Sequence, residues 1–221
     1  MLGATGAVGN HAALTLASLP MVDRLSLLGR RPATNVIGRA VTQEVIDIFA
    51  PDTYRDLVGG HRAAICALGV GQPSKMTRDE FVRIDHDAVL DFASSCKGAG
   101  VRHFELLSSI GVNATAKSFY LRTKGKLEEA LRALDFDRLS LFHPSMILTP
   151  TNRYGLAQGM ALAATRAISP LLLGSLRRFR GIDASDLGQA MARNVLTPGE
   201  GEETLHWKDF RDLSRGNAEA G

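Results

Sequence analysis

The feature that most constrains this 221-residue chain stands at its start: Gly3-Ala-Thr-Gly6-Ala-Val-Gly9, glycines at intervals of three, followed by a helical pattern from His11 to Leu19. Glycine at this spacing serves three needs: a tight turn, close approach of a ligand to the backbone, and close packing of a helix on a strand. Free N–H groups at the positive end of the following helix then suit a pyrophosphate. A plain structural turn uses the same residues, so the rest of the chain has to decide.

Short apolar runs alternate with longer helical ones, the pattern of βαβ units around a parallel sheet. Strands are expected at Arg24 to Leu28, within Val41 to Ile48, at Ala63 to Leu68, at Val101 to Leu107 and at Arg138 to Phe142. Helices are expected at Thr53 to Val58, Asp79 to Ala99, Lys124 to Leu134 and Ser185 to Asn194, the last with Ser185 as N-cap. Trp207, Phe210 and Leu213 mark an apolar helix face near the end, and the polar tail from Ser214 is expected to fray. The fold class is α/β, a Rossmann-type doubly wound parallel sheet with helices on both faces. Two residues precede Gly3, against five or so in an ordinary strand, so the first strand reads as truncated and its neighbours as exposed edges. The length suits one domain over 1–221, with 150–221 as a small C-terminal, substrate-side lobe.

Arg30 and Arg31 follow Gly9 by about twenty positions, where the second strand ends. A site for NAD(H) places an acid there for the ribose 2′-hydroxyl, whereas arginine suits a 2′-phosphate. NADP(H) is the expected cofactor, with NAD(H) less favoured. The alternative is a solvated arginine pair at a strand end.

Tyr120 and Lys124 form a YxxxK pair on one helix face, and Ser108 and Ser109 close the strand upstream. An ammonium beside a phenol favours the phenolate, so the tyrosine can exchange a proton with a substrate oxygen while a nicotinamide carries hydride. A serine hydroxyl can orient the carbonyl.

With these residues in order, the chain resembles the atypical branch of the short-chain dehydrogenase/reductase superfamily. The stretches from Phe81 to Leu90, His103 to Ser109 and Tyr120 to Gly125 are similar to the Tat-interacting-protein-like oxidoreductases; Phe136-Asp-Arg138 and Pro144 extend the likeness. The resemblance implies NADP(H) along Gly3, Thr5, Gly6, Ala7, Val8 and Gly9, with Arg30 and Arg31 at the 2′-phosphate. It implies Asp47 and Ile48 beside adenine, Leu68 and Gly69 beside the ribose, and Lys124 and Pro144 also at the cofactor. Ser109 is favoured over Ser108 as the catalytic hydroxyl. The asparagine that completes a tetrad in many superfamily members has no clear counterpart, although His86 and Asp87 occupy that helix.

Composition removes other classes. A net charge of +3 and 6% aromatic residues offer no basic, aromatic-interleaved stripe for nucleic acid. Gln158, Arg166 and Pro170 interrupt the apolar window from Leu156 to Leu176, which argues against stable membrane insertion. The six histidines show no ligand spacing, so no metal is expected. Cys66 and Cys96 read as buried, reduced thiols, and a cytoplasmic location is expected. The partners expected are a small-molecule substrate and, at most, a second copy of the chain, giving a monomer or homodimer. The function expected is an NADP(H)-dependent oxidoreductase acting on a carbonyl or similar small molecule. An NADP(H)-binding regulatory or scaffold protein without turnover is the alternative.

Overall fold

The computed structural model describes residues 1–70, 76–149 and 172–216. In chain order the elements are α1 (Ala7–Ser18), β1 (Leu25–Gly29), β2 (Val41–Val45), β3 (Ala63–Cys66), α2 (Arg78–Val82), a π-helical turn (Arg83–Asp87), α3 (Ala88–Gly98), β4 (His103–Leu107), α4 (Phe119–Arg132), β5 (Arg138–Phe142), β6 (Met146–Leu148), β7 (Gly181–Asp183), α5 (Ala184–Asn194), β8 (Gly201–Leu205) and α6 (Trp207–Arg215).

All strand pairings are parallel, in the pairs β2–β1 and β6–β7 and the run β3–β4–β5–β8. The first pair and the run are joined by Leu2, which bridges Leu28 on one side and Cys66 on the other. Leu2 donates to the Ile65 carbonyl and accepts from Ala67 N, both at 2.9 Å, and Leu28 N donates to the Met1 carbonyl at 2.8 Å. The open edges expected beside a truncated first strand are therefore corrected at the carboxyl end of the sheet. There two residues supply the central ladder immediately before the glycine turn.

Alternation along each strand divides the core into two layers. Leu28, Ala64, Cys66, Phe104, Leu106, Leu139 and Leu141 face one side, where Val89, Phe92 and Cys96 of α3 and Leu127 and Leu131 of α4 cover them. Leu25, Leu27, Ile65 and Phe142 face the other, under Val8, Ala12 and Leu16 of α1, Leu187 and Met191 of α5, and Phe210 and Leu213 of α6. Helices on both faces put the crossover point of the sheet at Leu2, where ligands bind in open α/β folds.

Several boundaries differ from the sequence reading. The segment 51–57 makes two 3₁₀ turns, Pro51–Thr53 and Arg55–Leu57, because Pro51 can only start a helix. α4 begins one turn earlier than expected, since the Ser118 hydroxyl accepts from Leu121 N at 3.5 Å; Tyr120 is thereby helical. The N-cap of α5 is Asp183 rather than Ser185. Strands β6 to β8 were not expected. Ser214 is buried in α6, which ends at Gly216 in the left-handed region (φ 74°). The apolar window around Pro170 lies largely outside the described residues. Among the described residues no helix is long and apolar enough to cross a membrane.

Candidate active site

Gly3 holds φ +96°, and a Cβ there would come within 2.5 Å of the Ala67 carbonyl carbon. Only glycine fits both the backbone conformation and the approach to β3. A Cβ on Gly9 would meet Gly3 O at 2.2 Å, so Gly9 packs α1 against the turn and lines neither cavity. Gly6 is the N-cap of α1 with no side-chain cap, and the first turn carries no acid. The amides that open the helix therefore meet no side-chain cap and no acid of their own turn.

Two cavities meet at this turn. The first, about 360 Å³, is lined by Gly3, Ala4 and Thr5, by Gly29, Arg30 and Arg31 after β1, and by Ile48 and Leu68. The second, about 400 Å³, is lined by Gly6, Ala7 and Val8, by Leu68 and Gly69 after β3, by Ser108 and Ser109, by Tyr120 and Lys124, and by Pro144 and Ser145. Leu68 borders both, and the glycine turn lies between them. Arg30 and Arg31 are exposed and pair with no acid among the described residues. Their loop is held from behind: Gln43 accepts from Ala33 N at 2.8 Å and donates to the Ala33 and Val36 carbonyls. Asn10 ties the turn to the same loop, donating to Ala4 O at 3.2 Å and to Asn35 Oδ1 at 2.9 Å. Asp47 is exposed, stands outside the linings of both cavities, and its Oδ1 accepts from Phe49 N at 2.9 Å. Ile48 next to it, 1% exposed, is the residue that reaches the cavity.

The two serines differ in what they touch. Ser108 is buried, and its hydroxyl donates to Glu128 Oε1 at 2.5 Å; the same oxygen lies 2.8 Å from His143 Nε2. Ser109 is half-buried, with a marginal 3.5 Å contact to Ile110 O, which leaves its hydroxyl available to the cavity. Tyr120, Lys124 and Glu128 form one stripe of α4, four residues apart. Tyr120 packs against Phe81 with ring centroids 5.6 Å apart, and Lys124 Nζ stands 5.8 Å from the Tyr120 ring centroid.

Asp85 is not among the residues the sequence marks on that helix, which are His86 and Asp87. Those two pair with each other at 2.9 Å at the rim of the fold. Asp85 is 1% exposed and lines the second cavity, with Oδ1 3.1 Å from Lys124 Nζ. Burial pulls the Lys124 pKa down, but the Asp85 carboxylate and the Tyr120 phenol outweigh it and hold it above the ordinary lysine value. An acid four residues after Phe81 on the buried face was the available signal. The π-helical turn that places it there has no sequence signature.

The description NAD(P)H-binding fits residues 3–169. Protein HTATIP2 of Rattus norvegicus is 33% identical over 207 residues, covering 93% of this chain and 84% of that protein. The mitochondrial protein FMP52 of Debaryomyces hansenii is 28% identical, covering 91% and 90%. Among solved structures, MoeE5 in complex with UDP-glucuronic acid and NAD matches with a TM-score of 0.69 at 18% identity, covering 92% of this chain and 74% of that one. Citrobacter triphenylmethane reductase complexed with NADP(H) matches at 0.65 and 13%, covering 93% and 68%. At these identities the likeness is one of fold, and the fold is that of Rossmann-type dinucleotide-binding proteins. The cytoplasmic expectation is overturned: relatives from Debaryomyces hansenii, Emericella nidulans and Meyerozyma guilliermondii are all named mitochondrial. Cys66 and Cys96 are both fully buried, so their reduced state carries no information about compartment.

Proposed function

The chain belongs to the NAD(P)H-binding family, and from that premise we propose that it is an NADP(H)-dependent oxidoreductase acting on a carbonyl or similar small molecule. One observation carries the reading: two cavities meet at a capless glycine turn, one ending on two arginines that pair with no acid among the described residues and the other on Tyr120, Lys124 and Ser109. The span suits a dinucleotide, its pyrophosphate on the amides after Gly6, its phosphorylated ribose at Arg30 and Arg31, and its nicotinamide between Gly69 and Pro144. The turn fits that group, since Gly6 opens α1 with no side-chain cap and no acid in the first turn.

NADPH supplies hydride when bound. The chain's own groups manage the substrate oxygen: Ser109 donates a hydrogen bond to it, and Tyr120 gives it a proton. Lys124 keeps a positive charge beside the phenol, and this stabilises the phenolate left behind.

Titration of the full chain with NADPH and NADH tests the first half. NADPH is expected to bind more tightly, and Arg30→Asp to remove most of that preference, roughly tenfold or more, because a bidentate phosphate contact becomes a repulsion. Tighter binding of NADH by the unaltered chain would defeat the cofactor assignment. NADPH binding with no oxidation of NADPH across a carbonyl panel would instead favour the regulatory alternative.

The serines divide the second half. Ser109→Ala is expected to lower kcat by about 10²-fold with little change in melting temperature. Ser108→Ala leaves Glu128 with one neutral partner fewer and should act mainly on stability, by roughly 1 kcal/mol. Rate measurements and thermal melts on both variants check the division, and the reverse pattern would move the catalytic hydroxyl to Ser108.

A further inference from the structure

Both oxygens of Asp85 are committed, and to different halves of the site. Oδ1 faces the Lys124 ammonium at 3.1 Å and has no other hydrogen bond among the described residues, while Oδ2 accepts from Val70 N at 2.8 Å. Val70 belongs to the loop after β3, whose preceding residue Gly69 borders the second cavity. A Cβ on Gly69 would stand 3.4 Å from Oδ1, so the carboxylate lies directly beneath that loop. The π-helical turn Arg83–Asp87 separates α2 from α3 and sets Asp85 inward while His86 and Asp87 stay near the surface. Such single-turn π insertions concentrate at functional sites. Nothing in the packing of α2 or α3 needs a carboxylate there: Phe81, Ala88 and Val89 on either side are buried and apolar.

We propose that Asp85 is a positioning residue of this site, one oxygen fixing the Lys124 ammonium at the cofactor and the other fixing the loop that borders the same cofactor. The inference rests on the reading of the second cavity as the nicotinamide side. It assigns to one buried acid the coupling of cofactor binding to lysine charge. Groups facing the ammonium come from three elements: Asp85 on the π turn, Tyr120 on α4 itself, and Cys66 on β3. Burial holds the Cys66 thiol up, to about 11, so it is neutral, and among the described residues Asp85 is the acid that pairs with the buried cation.

Removing that acid leaves a buried ammonium facing a neutral thiol and a phenol. Desolvation then favours the uncharged amine, and Lys124 gives up its proton at lower pH than before. The test is calorimetric titration of the full chain with NADPH at about pH 7 and about pH 9, for the unaltered chain, Asp85→Asn and Asp85→Glu. The unaltered chain and Asp85→Glu are expected to change affinity little between the two. Asp85→Asn is expected to bind more weakly at both, and to lose a further factor of about ten at the higher pH. A purely structural role would weaken binding by the same factor throughout, so equal pH dependence of Asp85→Asn and the unaltered chain overturns the proposal. Should Asp85→Asn fail to fold, Asp85→Glu carries the test: its pH dependence must follow the unaltered chain, and departure from it overturns the proposal. No turnover is read. NADPH binding without reaction would sink the reductase reading and leave this one standing; no binding of NADPH by the unaltered chain would sink both.

Discussion

Tyr120→Phe is expected to lower kcat by about 10³-fold while changing NADPH affinity by no more than about twofold. The hydroxyl is the one group of Tyr120 assigned to the reaction, and the ring that remains still packs on Phe81 at 5.6 Å. Lys124 loses its phenol but keeps the Asp85 carboxylate at 3.1 Å, so the charge below the cofactor persists. The predicted signature is therefore a loss confined to the chemical step. Initial rates from the decay of NADPH absorbance, with binding titrations alongside, measure it. A kcat within about threefold of the unaltered chain would remove Tyr120 from the mechanism, because proton delivery of this kind contributes about 10²–10⁴-fold.

Gly9→Ala is expected to cost about 1–3 kcal/mol of stability and roughly a hundredfold in cofactor affinity. Its methyl group would lie 2.2 Å from Gly3 O, and that atom is backbone with no rotamer to move. The turn itself must shift, and with it the Gly6 amide that donates to Gly3 O at 3.0 Å and the helix-opening amides that follow. Gly98→Ala is the control. It ends α3 with nothing within 4 Å of an added Cβ and should be neutral or stabilising by about 0.5–1 kcal/mol. Thermal melts and NADPH titrations of both variants check the contrast, and a Gly9→Ala variant that binds as well as Gly98→Ala would show that the turn does not hold the pyrophosphate.

Much of this architecture is legible in the sequence. Glycine spacing announced a turn that meets backbone at both Gly3 and Gly9, and the apolar strands β3, β4 and β5 were recognisable because both faces of a parallel strand are buried. Strands β6, β7 and β8 were not. β6 and β7 are three residues each, and β8 runs Gly-Glu-Glu-Thr-Leu with one buried residue, so neither length nor hydrophobicity marks them. The two-residue ladder at Leu2 was equally hidden, since a bridge of one residue has no periodicity to detect.

The sequence by itself determined the α/β class, the glycine turn, the arginines after β1 and the Tyr120–Lys124 face of α4, because each depends on short-range rules of spacing and backbone sterics. Tertiary structure alone decided which serine hydroxyl is tied to Glu128, that Ile48 rather than Asp47 lines the first cavity, and that Asp85 rather than its neighbours pairs with Lys124. Those choices turn on partners distant along the chain: Glu128 for Ser108, Val70 and Lys124 for Asp85. A buried polar group goes where its charge or hydrogen bonds are satisfied, and that is a property of the assembled fold.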